Sequence, residues 1–195
     1  MKQTSYLNTQ AKGFTLIELL VVIAIIGVLA AVVLLAINPA EMLRRGRDST
    51  RMNDMVTLRK AIDAVFAQGG TWSAGAGCAD SATCVSATGT ARAVDGTGYI
   101  PMVINEYLST LPNDPRQGDT TGTVSNGVSA AATATVTVPT GGFRYEFRRV
   151  GDAYEIRTLL ESTNNWQRAS TDGGDDSGGA SAAAYFEVGT NLALL

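Results

Sequence analysis

From Leu19 to Ile37 every residue is apolar or glycine, and this unbroken run limits what the rest of the chain can be. As a helix rising about 1.5 Å per residue it is about 28 Å long, close to the roughly 30 Å hydrocarbon core of a bilayer. A secretory signal peptide has a shorter apolar stretch, about 7–15 residues, followed by a small-x-small cleavage site. The run therefore reads as a membrane-spanning helix, and Ala36-Ile37-Asn38-Pro39-Ala40 ranks well below it as a signal-peptidase site. A carboxylate, Glu18, sits at its mouth. An ionised carboxylate in hydrocarbon costs several kcal/mol unless it is paired or reaches the interface, so Glu18 is a group in want of a cation.

The string Gly13-Phe14-Thr15-Leu16-Ile17-Glu18 resembles the prepilin signature of type IV pilins and type II secretion pseudopilins. That resemblance implies a leader, residues 1–13, which a membrane aspartyl prepilin peptidase removes by cutting after Gly13 before it N-methylates Phe14. It implies that residues 14–38 are a transmembrane and assembly helix. It also implies that Glu18 pairs with the Phe14 amine of a neighbouring subunit in a homo-oligomeric filament raised by an assembly platform. From the residues alone, an amine at Phe14 is one helical turn from Glu18. It can meet that carboxylate within one chain, or from a staggered neighbour, where the pair would fix axial register. Ala24, Gly27, Ala30 and Ala31 would let such helices approach closely.

The positive-inside count leaves orientation open, because Lys2 and Lys12 precede the span and Arg44, Arg45, Arg47 and Arg51 follow it. The resemblance places the N-terminus in the cytoplasm: a single-pass inner-membrane protein before assembly, and an extracytoplasmic or cell-surface filament after it.

The composition disfavours most other roles. The chain has no histidine, which removes the commonest general base and transition-metal ligand, and its two cysteines cannot build a tetrahedral zinc site. No nucleophile–base pair or phosphate loop stands out, so neither an enzyme nor a small-molecule substrate is expected. The net charge of -3 becomes more negative once Lys2 and Lys12 leave with the leader, and nucleic acid is not indicated. Cys78 and Cys84 have five residues between them in a small-residue loop. Beyond a membrane an oxidising compartment favours a Cys78–Cys84 disulfide; in a reducing setting they stay free thiols.

Residues 39–195 are enough for one small domain. Asn38-Pro39 costs a helical hydrogen bond and marks a kink. An amphipathic helix follows over 40–68, with Met55, Leu58, Ile62, Val65 and Phe66 on one face, and Gly69-Gly70 stops it. Its polar stretch Arg44 to Arg51 has no apolar stripe, so it is expected to be exposed, as a subunit surface, a contact for anionic lipid headgroups, or a solvated helical face. Residues 69–132 read as loop, with Trp72 over the core, an apolar island at Tyr99–Val103 and Tyr107-Leu108, a turn at Leu111-Pro112-Asn113-Asp114-Pro115, and a mobile surface loop from Gly118 to Ala132.

The period then changes to two. Strands are expected over Thr133–Val138, Phe143–Val150 and Ala153–Glu161, an antiparallel sheet within 133–161 whose last two strands form a hairpin at Gly151-Asp152. The oily face of that sheet needs the Met55–Phe66 face as cover. The expected fold is α+β: a long kinked N-terminal helix, half membrane and half amphipathic, packed on a small antiparallel sheet, which is also how pilins are built. In the C-terminal loop and tail, 162–195, Asp172, Asp175 and Asp176 crowd a glycine turn. Carboxylates on a flexible loop suit calcium, as the resemblance to major pseudopilins also implies, although the spacing is not that of an EF-hand and a solvated loop is the commoner meaning. Tyr185–Val188 can be a last strand, with Leu192–Leu195 docked on the domain.

The function expected is a structural subunit of a type IV pilus-like filament. The alternatives are a type II secretion pseudopilin and a membrane-anchored surface domain that does not polymerise. The Leu-Pro-x-Asp-Pro string is similar to one in major pseudopilins, but Arg116-Gln117 stand where tryptophan-glycine often follows.

Overall fold

A computed structural model describes residues 13–73, 78–86, 89–122, 124–125, 137–174 and 183–195. The chain divides after Ala40 into an N-terminal unit and a compact unit, Glu41–Leu195. The N-terminal unit contains α1, Leu16–Ile37, apolar around its whole circumference and exposed along its length. Its Leu16–Leu34 part is long and apolar enough to cross a membrane. Helix α1 ends at Asn38, which takes a left-handed conformation (φ 48°), and Pro39 opens α2, Pro39–Ala67. Asparagine tolerates this backbone better than most residues, and proline at a first helical position loses no bond that the helix needed.

Four strands form one antiparallel sheet in the order β1 (Thr83–Val85), β2 (Tyr145–Val150), β3 (Ala153–Leu159) and β4 (Tyr185–Gly189). The β2–β3 pair is the expected hairpin: Val150 faces Ala153 across Gly151-Asp152, and Gly151 sits at φ +60°, where a Cβ is strained. Alternation places Tyr145 and Phe147 of β2 and Tyr154 and Ile156 of β3 in the core with Met55, Leu58 and Ile62 of α2. Two tyrosines in this layer keep their hydroxyls satisfied on the helix: Tyr145 donates to Asp54 (2.6 Å) and Tyr154 to Asp63 (2.7 Å). Trp72 packs edge-on against Phe66 at 5.0 Å and closes the layer.

Several expectations are corrected. The 69–132 region is not mere loop: it supplies β1, a 3-10 turn at Gly89–Arg92, and Tyr99, Ile100, Met102, Ile104 and Leu111 to the core. Strand β1 has only three residues, too few to announce a period although Cys84 is less exposed than its two neighbours, so register with β2 rather than local pattern creates it. Within the stretch expected to be a mobile loop, Val124 and Ser125 are buried, and the Ser125 N–H donates to the Leu160 carbonyl. The sheet reaches beyond 133–161 on both sides, through edge strands β1 and β4, while its central strands are shorter than expected: β2 starts at Tyr145 and β3 stops at Leu159. Most of the expected strand Thr133–Val138 lies outside the described residues, and Thr137 and Val138 are not in a strand.

The polar face of the sheet is covered too. Glu146 on that face is held by Arg144 and Arg157, and buried Glu155 accepts the N–H groups of Leu194 and Leu195, which docks the tail.

Candidate functional site

The start of α1 is built by its own sequence. Thr15 is the N-cap, with extended backbone (φ -81°, ψ 152°), and its hydroxyl accepts the Glu18 N–H at 3.2 Å. In return the Glu18 carboxylate accepts both the Thr15 N–H and the Thr15 hydroxyl through Oε2, each at 2.8 Å. This reciprocal capping box satisfies helix-end donors that no residue of the preceding turn can meet. It also bends the carboxylate back toward Phe14 and commits one of its oxygens. Among the described residues Oε1 has no partner. Phe14 is almost fully exposed, and the Gly13–Phe14 bond lies just ahead of the first helical residue in non-helical backbone. An amine created at Phe14 would thus adjoin Thr15, the residue that the Glu18 carboxylate holds through one oxygen while the other stays open.

The other sequence candidates sit in the Glu41–Leu195 unit. Cys78 and Cys84 are joined by a disulfide (Cα–Cα 5.8 Å) that ties the 78–83 turn to β1. Asp172 spends its carboxylate on two backbone N–H groups, those of Glu187 (2.8 Å) and Gly174 (3.2 Å). Asp175 and Asp176 lie outside the described residues.

The polar stretch of α2 overturns its expected exposure: Asp48 and Arg51 are completely buried. Carboxylates distant in sequence account for this. Arg51 makes a two-pronged contact with Asp114 (2.7 and 2.8 Å) and reaches Asp48 (2.9 Å) and Glu161 (2.7 Å), four charge-assisted bonds from one guanidinium. Glu161 in turn accepts from Arg47 (2.7 and 2.6 Å) and Arg116 (3.0 Å). Burial pushes the Glu161 carboxyl up, but the Arg47, Arg51 and Arg116 bonds outweigh it and hold it at about 2. The second oxygen of Asp48 takes the Ser162 N–H and the Asn165 amide. The Leu-Pro-Asn-Asp-Pro segment, read as a turn, is thus where the domain obtains the main counter-ion of Arg51. The network fastens α2 to the 112–119 segment and to the end of β3. Its signal in the sequence was the presence of four arginines on a helix without an apolar stripe, which calls for carboxylates from elsewhere.

Residues 8–34 match the family model for a prokaryotic N-terminal methylation motif, a segment that includes Gly13, Phe14, Glu18 and most of α1. This motif match supports a relationship to the type IV pilin family. It is similar to fimbrial protein Q of Moraxella bovis, with 37% identity over 89 residues, which is 44% of this chain and 55% of the fimbrial protein. The chain thus matches only about half the length of that curated relative, but the likeness continues well past the motif. No solved structure matches the chain. The apolar N-terminal helix and the helix-plus-sheet domain are consistent with an α+β pilin-like fold, and the N-terminal helix fits membrane anchoring.

Proposed function

We propose that this chain is a structural subunit of a type IV pilus-like filament: prepilin peptidase cuts after Gly13, Phe14 is N-methylated, and α1 carries the subunit from the membrane into the fibre. The Glu18 arrangement supports this reading most strongly, because a carboxylate with one oxygen held by Thr15 and the other open is suited to a second-chain amine. Two glycines point the same way. Among the described residues, a Cβ at Gly13 or at Gly27 would meet nothing within 4 Å, so their packing requires neither glycine. Glycine in mid-helix costs about 1 kcal/mol relative to alanine, and at Gly27 close approach of a neighbouring helix would offset that. Gly13 fits a residue read by an enzyme.

The fimbrial name of the relative favours a pilus over a secretion pseudopilus. The N-terminus faces the cytoplasm in this reading, and the role is structural rather than enzymatic. Calcium at Asp172, Asp175 and Asp176 belongs to the same proposal on the chemistry of the carboxylates alone; a melting midpoint that does not change between calcium and chelator would end it.

The decisive experiment co-expresses the chain with a prepilin peptidase and a pilus assembly platform. Wild type should lose residues 1–13 and appear in sheared filaments. Glu18→Ala should be cleaved, stay in the membrane and be missing from the filaments. Normal filaments from Glu18→Ala would overturn the role of Glu18, and an uncut wild-type chain would overturn the whole reading.

A further inference from the structure

The first turns of α2 are amphipathic in the inverted sense. Facing the domain are charged side chains: Glu41 and Arg47 are partly buried, and Asp48 and Arg51 are fully so. Facing outward are Met42, 60% exposed, and Leu43, 65% exposed. A helix in water presents the opposite pattern, because burying charge and exposing large apolar side chains are both unfavourable. The inward charges are explained by the Arg51 network. Among the described residues the outward pair has no partner that would account for it.

We infer that Met42 and Leu43, with Arg44 and Arg45, form an interfacial anchor that inserts into the headgroup and upper acyl layer of an anionic bilayer. Continuity along the chain is the first argument. Leu43 follows Ile37 by six residues, a chain length of at most about 20 Å, so it stays near the surface of any bilayer that α1 crosses. Charge is the second. Arg44 and Arg45 share one carboxylate, Glu41, at 3.5 and 3.4 Å, and Glu41 is also held by the Ser162 hydroxyl and the Asn164 amide (2.9 Å). This rim is therefore net positive, and apolar residues beside arginines suit a negatively charged lipid surface. Face-to-face contact with the same patch of a second copy would instead set arginines against arginines. The anchor rests on the membrane-inserted reading of α1 and adds to it a second point of attachment, which extraction into a filament must break.

The full chain, with its disulfide intact, tests this in vesicles of phosphatidylcholine with and without phosphatidylglycerol. An environment-sensitive fluorophore is attached at Met42→Cys, at Thr50→Cys and, as a control, at Leu29→Cys. The label at 42 should be quenched by a shallow nitroxide lipid, more strongly with phosphatidylglycerol, while the label at 50 stays in water. Replacing Leu43→Ser in the Met42→Cys background should reduce that quenching. At about 1 kcal/mol per arginine near an anionic surface, each of Arg44→Gln and Arg45→Gln should lower the inserted-to-free ratio about fivefold. A label at 42 as wet as that at 50 in both vesicle types would overturn the anchor, as would protection that rises with the protein-to-lipid ratio, the sign of a second copy. If the label at 29 also escapes a deep quencher, the membrane reading of α1 fails; if 29 is quenched and 42 is wet, only the anchor does.

Discussion

Arg51 shows how a single residue can defeat a periodic reading of sequence. Two of its three counter-ions stand 63 and 110 residues away, where no local pattern announces them, and the same guanidinium lies 4.7 Å from the Phe143 ring centroid. Removing one partner from such a buried cluster leaves charges without compensation, and Arg51→Ala should cost about 3–5 kcal/mol in denaturant unfolding. Glu161 gives the network its pH dependence. Because its folded-state value of about 2 lies below the ordinary 4.5, its stabilisation is complete above pH 4.5 and is lost as pH falls toward 2. That contribution is about 3 kcal/mol at neutral pH. The stability of wild type should fall across this window, and Glu161→Gln should be weaker at neutral pH and flatter below 4.5. Thr158 makes the opposite case: its hydroxyl is buried and has no partner among the described residues, so Thr158→Val should be neutral or raise stability by up to about 1 kcal/mol.

Among the elements, those with a repeating pattern were legible and those made by pairing were not. The Met55, Leu58, Ile62 stripe of α2 and the Tyr145–Phe147 and Tyr154–Ile156 alternation identified the helix face, the hairpin and their mutual cover. Strand β1 was missed because three residues cannot establish a period and because Cys84 joins the sheet opposite Phe147 with help from the disulfide. Closing so short a loop should contribute about 2 kcal/mol through the unfolded chain. Reduction should therefore lower the melting temperature and speed amide exchange at Thr83–Val85 first, with the β2–β3 hairpin changing least; uniform loosening of the sheet would show that β1 does not depend on the disulfide.

At the scale of the molecule, the candidate site was the most legible part of the chain, since its chemistry lies in six consecutive residues and needs no tertiary contact to assemble. What the sequence reading passed over was the capping box, whose Thr15-x-x-Glu18 signature is present, and by which Thr15 takes one Glu18 oxygen and leaves the other open. Within the Glu41–Leu195 unit, Arg51 and the tyrosine–aspartate pairs fasten α2 to the domain. The most direct measurement is the intact mass of the chain recovered from sheared surface filaments. A species that begins at a singly methylated Phe14 and retains the Cys78–Cys84 bond is predicted. Filaments containing the chain still joined to residues 1–13, or a cleaved and methylated chain that never leaves the membrane when the assembly machinery is present, would contradict it.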